Sequence, residues 1–183
     1  MRIVAGLAKG RRLAPPPDGT RPTSDRAREG LFNSLAALVD LDDSHVLDLF
    51  AGTGAVGLEA LSRGAETAVF VESGHRAADV LRRNVDVVAL PGARIVRRAV
   101  TSFLAGRPDT PFELVFADPP YAVGDDAVAA LLVTLGSDQW LAPDAVVVIE
   151  RAARGAGPVW PATITPVADR RYGEGVLWYG RRR

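Results

Sequence analysis

The stretch "VLDLFAGTGAVGLEAL", residues 46–61, holds a hydrophobic strand, a glycine-rich turn and the start of a helix. Gly52, Gly54 and Gly57 stand where strand gives way to helix, so the backbone can turn tightly and a ligand can approach the main chain closely. The spacing matches G-x-G-x-x-G, the dinucleotide fingerprint, and Glu72 ends the next strand twenty residues beyond Gly52. Spacing alone does not separate a nicotinamide enzyme from other nucleoside binders. Glycines that merely permit a turn are the structural alternative.

Asp48 decides between them. A dinucleotide brings a pyrophosphate to this loop, and a neighbouring carboxylate repels that anion. An acid at the strand's end suits a cationic ligand instead. S-adenosyl-L-methionine carries a sulfonium, an ammonium and a ribose diol, and no phosphate. Asp48 is then expected to serve the ammonium, directly or through water, and Glu72 to accept from the ribose hydroxyls. Ala51, Gly52 and Gly54 are the loop positions expected against that cofactor.

Outward from the loop, strand and helix patterns alternate. Strands are expected at His45–Leu49, Thr67–Val71, Arg94–Arg97, Leu114–Ala117 and Ala145–Glu150. Helices are expected at Val56–Arg63, Gly74–Ala89, near Thr101–Ala105, and at Asp125–Leu135. Ala162–Asp169 and Gly175–Gly180 read as a closing antiparallel hairpin. Upstream, Arg2–Ala5 and Arg11–Ala14 read as a β-hairpin. A helix capped by Thr23 or Ser24 follows, with Leu31, Phe32, Leu35 and Leu38 on its apolar face. The fold class is α/β: a Rossmann-like, mostly parallel sheet with helices on both faces. Residues 1–22 form an N-terminal extension and 23–183 the main domain. Ligands of such sheets bind beyond the carboxyl ends of the strands.

At one of those ends stands "FADPPY", residues 116–121. Two prolines after an acid could simply stop a strand. They also suit a reaction at an exocyclic amine of a nucleobase, whose lone pair is delocalised into the ring. Two acceptors on the amine's protons favour a pyramidal nitrogen and return the lone pair for attack. Asp118 supplies one acceptor and the Pro119 carbonyl the other, held in place because proline fixes φ. Tyr121 can stack on a flipped base, and Asp118 can take up the released proton.

The 183 residues suit one domain, with 48% hydrophobic and 24% charged side chains. Without cysteine there is no disulfide and no thiolate metal site. His45 and His75 lack partners at ligand spacing, so no metal is expected. No apolar run reaches the roughly 18 residues of a membrane span, and the N-terminus is too polar for a secretory signal. A cytoplasmic protein is expected. Formal net charge is zero but unevenly spread. Residues 1–33 carry seven basic and three acidic groups, residues 34–150 eight and seventeen, residues 151–183 seven and two. Basic ends flanking an acidic middle can hold a polyanion at one edge; charge alone leaves that open.

"DLFAGTGAVGLEALSRGA", "VFVES" and "DPPY" together resemble class I S-adenosyl-L-methionine-dependent amino-methyltransferases. "RIVAGLAKGRRL" followed by "RPTSDRAREGLFNSL" is similar to the RsmD-type 16S ribosomal RNA guanine-N2 methyltransferases, and the resemblance covers essentially the whole chain. It implies methylation of one guanine N2 in 16S rRNA, on an assembled or assembling 30S subunit. It further implies that Arg11, Arg12 and Arg21 touch RNA and that Thr23 packs against the cofactor. Glu150 and "RRYGEGVLWYG" fit the family's tail, where a structural role competes with a functional one. One departure stands out. Such enzymes often carry an acid after the third strand, and this chain has Arg98-Ala99-Val100. The adenine is therefore expected on main-chain groups near Ala99. Nothing in the sequence suggests an obligate interface, so a monomer is expected. Two alternatives stand beside this reading. One is an adenine-N6 DNA methyltransferase, which uses the same acceptor pair. The other is a non-catalytic ribosome-assembly factor that binds RNA.

Overall fold

A computed structural model of the chain describes residues 1–16, 25–137 and 139–183. Seven strands form one sheet in the order β3-β2-β1-β4-β5-β7-β6. They are β1 (His45–Leu49), β2 (Thr67–Val71), β3 (Ala93–Val96), β4 (Phe112–Ala117), β5 (Leu141–Ala152), β6 (Ile164–Tyr172) and β7 (Gly175–Arg182). The first five run parallel, and β7 and β6 return antiparallel at the edge. The helices are α1 (Asp25–Leu35), α2 (Ala55–Ser62), α3 (His75–Val88), α4 (Val100–Leu104) and α5 (Asp125–Leu135).

Alternation along each central strand sorts side chains between two cores. Val46, Ala68, Phe70, Leu114, Phe116, Val146 and Val148 join Leu31, Phe32, Leu58 and Leu81 on the face covered by α1, α2 and α3. Leu47, Leu49, Val69, Val71, Val115, Val147 and Ile149 join Leu104, Leu132 and Trp140 on the opposite face. Burial on both faces is why the strands read as unbroken apolar runs.

The N-terminal segment departs from the expected pair of strands. A single antiparallel bridge, Arg2 to Arg12, is formed, with Gly6 and Gly10 at positive φ. The reason lies in α2. The Val4 and Ala5 amides donate to Glu59 Oε2 and Oε1 at 2.7 and 2.9 Å instead of to a facing strand. The Leu7 amide donates to the Ser62 carbonyl at 2.7 Å and the Ala8 amide to Ser62 Oγ at 2.9 Å. A Cβ on Gly6 would sit 1.6 Å from that carbonyl, so only glycine fits. Ile3, Ala8 and Leu13 enter the first core.

Other elements differ in their bounds: β6 runs Ile164–Tyr172 rather than Ala162–Asp169, and β7 continues two residues past Gly180. Leu38 lies beyond the end of α1, although it still packs against the core. β5 starts at Leu141, four residues early, because Pro143-Asp144 forms a bulge with Asp144 at φ 60°, not a break.

Candidate active site

The strand order brings Asp48, Glu72, Ala99 and Asp118 to the carboxyl ends of four neighbouring strands, β1, β2, β3 and β4. Helices after parallel strands begin at this same edge, so the amino end of α2 also faces it. Two left-handed glycines, Gly52 at φ 55° and Gly54 at φ 76°, make the turn between β1 and α2. Phe50 is left-handed too, at φ 57°. Nothing in the sequence marked it; a bulky residue there carries strain that the surrounding loop must hold.

Asp48 is buried within β1, and its Oδ2 accepts the Gly57 amide at 3.0 Å. Gly57 lies in the first turn of α2, so this carboxylate performs the capping that Gly54 lacks a side chain to do. The approach is close: a Cβ on Gly57 would lie 2.4 Å from the Phe70 ring. Burial pushes the Asp48 carboxyl from 3.8 up to about 8, outweighing the Gly57 hydrogen bond, and the charges of Asp118 and Glu72 add to the rise.

Glu72 holds the loop from the other side. Its Oε2 accepts the Gly52 amide at 2.8 Å and its Oε1 the Gly74 amide at 2.6 Å. Each oxygen retains a lone pair, so a vicinal diol can still be accepted. Asn84 supports the loop from α3, donating to the Thr53 carbonyl at 2.9 Å and exchanging hydrogen bonds with both backbone groups of Ala14. Ala99 precedes α4, and its carbonyl accepts the Phe103 amide.

Asp118 follows β4 directly, its amide 3.5 Å from the Leu49 carbonyl. Pro119 is buried and Tyr121 is 67% exposed beside it. Burial raises the Asp118 carboxyl from 3.8 to about 6, and the Arg151 guanidinium opposes the rise. Arg151 stands on β5 and reaches Asp125 Oδ1 at 2.8 Å, tying the strand to the first residue of α5. The 118–124 loop is thereby bracketed between β4 and a fixed α5. Arg151 was not singled out in the sequence; a strand-end arginine beside a required carboxylate was the available signal.

The N-terminal arginines lie apart from this cluster. Arg11 donates to the Val87 and Val88 carbonyls at the carboxyl end of α3. Arg12 is exposed beside it. Thr23 and Arg21 lie outside the described residues. Among the described residues no group of His, Asp or Glu could hold a metal ion, and no helix is long and apolar enough to cross a membrane.

A buried acid against a glycine cradle and a second acid with two accepting oxygens fit a ligand with a cation and a ribose diol. A cofactor phosphate at the glycine loop would instead face the Asp48 and Glu72 carboxyls.

The family model described as Conserved hypothetical protein 95 matches residues 1–181. The chain is 40% identical over 164 residues to Ribosomal RNA small subunit methyltransferase D of Escherichia coli (strain K12), across 88% of this chain and 80% of that protein. The solved structure of yhhF from Escherichia coli superposes with a TM-score of 0.85 at 34% identity, across 100% of this chain and 98% of that one. Magnesium protoporphyrin IX methyltransferase of Synechocystis PCC 6803, solved with bound SAM, superposes with a TM-score of 0.66 at 14% identity, covering 86% and 79%. At that identity the likeness shows the fold alone.

Proposed function

The chain belongs to the Conserved hypothetical protein 95 family, and from that premise we propose that it methylates the exocyclic N2 amine of a guanine in 16S rRNA of the 30S subunit. S-adenosyl-L-methionine is its methyl donor. The reading is carried by the placement of Asp118, half-buried beside Pro119 and an exposed Tyr121 at the same sheet edge as Asp48, Glu72 and the glycine loop. When bound, the cofactor supplies an electrophilic methyl group on its sulfonium.

The chain's own residues then do four things. Asp48 and Glu72 hold the cation and the diol, with Ala51, Gly52, Gly54 and Ala99 as the main-chain wall and Thr23 as a further contact. Asp118 and the Pro119 carbonyl accept the amine's two protons and aim its lone pair. Tyr121 stacks on the base. Asp118 is poised to take the proton released after transfer, because a carboxyl near 6 accepts one more readily than an ordinary aspartate. Residues 1–22, with Arg11, Arg12 and Arg21, belong to the RNA-facing part of the molecule. The protein acts as a cytoplasmic monomer without metal.

The test is transfer from tritiated S-adenosyl-L-methionine to unmodified 30S subunits, followed by nucleoside analysis. Label is expected in N2-methylguanosine. Label in N6-methyladenosine, or transfer to duplex DNA in preference to subunits, would overturn the reading.

Two pH effects follow from the carboxylates. Asp48 binds a proton in the folded protein well above the pH at which the unfolded chain releases it. Stability without ligand therefore falls as pH rises from about 4 toward 8. A cation against Asp48 favours the ionised form, so cofactor affinity rises with pH between 6 and 7.5, by up to about tenfold per unit for one linked proton. Above that range the ligand's own amine begins to deprotonate. Calorimetric titration across this range checks it; a flat affinity contradicts the assignment of Asp48. Separately, Arg151→Gln removes the charge that holds the Asp118 carboxyl down. The acid limb of the kcat profile is expected to move to higher pH, with Arg151→Lys restoring most of the shift. An unmoved limb would show that Arg151 does not tune Asp118.

A further inference from the structure

The N-terminal segment runs alongside α3, from the carboxyl end of the helix back toward its start. Arg11 is anchored at the Val87 and Val88 carbonyls and Ala14 at Asn84; Pro15 faces Arg76, Asp79, Val80 and Arg83 across a hollow. This hollow between chain and helix measures about 410 Å³ and is lined by those four α3 residues with Ala14 and Pro15. Arg76 and Arg83 are seven residues apart, two turns along one face, and both are exposed. Among the described residues neither side chain is in an ion pair; Arg83 Nε reaches only the Asp79 carbonyl at 3.3 Å.

The one acid in the hollow is already neutralised. Asp79 Oδ1 meets Arg82 at 2.5 Å and Oδ2 meets His75 at 3.1 Å. The other acid of the helix, Asp86, lies four residues from Arg82 and three from Arg83, one turn beyond the hollow toward the helix's carboxyl end. What remains is a strip of positive charge: Arg12 and Arg11 at one end, Arg83 in the middle, Arg76 near the rim where Glu72 and Gly74 hold the loop. The fourteen residues of α3 span about 20 Å at 1.5 Å each. At roughly one phosphate per 3.4 Å of strand axis, that length meets several consecutive phosphates.

Resting on the rRNA methyltransferase reading, we propose that the groove between residues 11–15 and α3 is the track for the RNA backbone that leads to the target base. Arg76 and Arg83 are its central phosphate contacts. They position the strand and carry no sequence information themselves. Exposed arginines spaced along an open hollow suit a flexible polyanion better than a compact ligand.

The experiment compares wild type with Arg76→Glu/Arg83→Glu and Arg76→Lys/Arg83→Lys in two assays. In the first, a fluorescent single-stranded RNA oligonucleotide is titrated at several salt concentrations. In the second, methyl transfer to 30S subunits gives KM and kcat. Charge reversal is expected to weaken RNA binding at least tenfold and to flatten the log–log salt slope by about 1.5, two contacts' worth. It should raise KM for subunits while calorimetric cofactor binding is unchanged. The lysine pair should retain most of the affinity, because a phosphate needs a charge more than a fork. Unchanged RNA affinity and salt slope in the reversed protein would overturn the groove, whatever the methylation assay shows. Equal competition by polyglutamate would overturn it in favour of an acidic protein partner. Wild type that binds RNA through these arginines yet transfers no methyl would leave the groove standing and sink the proposed activity.

Discussion

Replacing Asp118 with alanine is expected to lower kcat for methyl transfer by about 10²–10³-fold, the range seen when one positioned hydrogen-bonding group is removed from a reacting centre. The amine loses one of its two acceptors and the site loses its proton acceptor, while Pro119 and Tyr121 stay in place. Cofactor binding should survive, because Asp118 meets Asp48 only through charge and makes none of the hydrogen bonds that shape the glycine loop. Asp118→Asn is the sharper variant. It retains a carbonyl oxygen toward the amine but cannot take a proton near pH 6, so it should lose less than alanine and lose the acid limb of the pH profile. Single-turnover kinetics with pre-bound cofactor separates these outcomes from a binding defect. Full single-turnover rates in Asp118→Ala would remove the carboxylate from the chemistry. A knockout whose growth phenotype is fully rescued by a transfer-dead Asp118→Ala would instead favour the non-catalytic RNA-binding alternative.

The comparison with the sequence turns on which residues had a periodic neighbour to betray them. Strands β1, β2 and β4 and helix α5 were legible because alternation or a 3.6-residue period runs through each, and the structure places them within two residues. The four carboxyl-end positions, Asp48, Glu72, Ala99 and Asp118, were legible because a parallel sheet must collect its strand ends at one edge. Partners reached across the fold were not. Glu59 was not singled out in the sequence; all eight residues of α2 are buried, because the N-terminal segment covers its outer side. The available signal was weak: a short helix with one charge among small and apolar residues is buried all round. Asp48 likewise reads as a ligand contact alone, while the structure also makes it the cap of α2. Arg11 read as an RNA contact is also a clasp on the end of α3. In each case the hydrogen bonds that a side chain makes across the fold follow from packing and leave no mark on the sequence pattern.

Glu59 gives the largest expected effect on stability. Its side chain is wholly buried, and its two oxygens accept the Val4 and Ala5 amides and Arg63 Nε, the last at 2.9 Å, with Arg28 Nε at 3.6 Å. Arg28 is itself fully buried and, among the described residues, otherwise reaches Asp25 and the Arg2 carbonyl. Truncating Glu59 to alanine leaves the buried Arg28 guanidinium with only the half-exposed Asp25 as its acid among the described residues, and two backbone amides without acceptors. Breaking a buried pair from one side costs about 3–5 kcal/mol, a large share of the stability of a domain this size. Glu59→Gln retains the shape and one acceptor, so it should cost less and keep the protein folded for measurement. Urea unfolding gives the loss, and limited proteolysis shows its location. Cleavage within residues 1–13 should accelerate before the sheet yields, since Glu59 and Ser62 are what fasten that segment to α2. Adding Arg28→Met to Glu59→Gln should cost less than the sum of the two single changes, because the second removes a charge the first has stranded. Strict additivity, or a loss under about 1 kcal/mol for Glu59→Ala, would mean that apolar packing of Ile3, Ala8 and Leu13 alone holds the N-terminal segment in place.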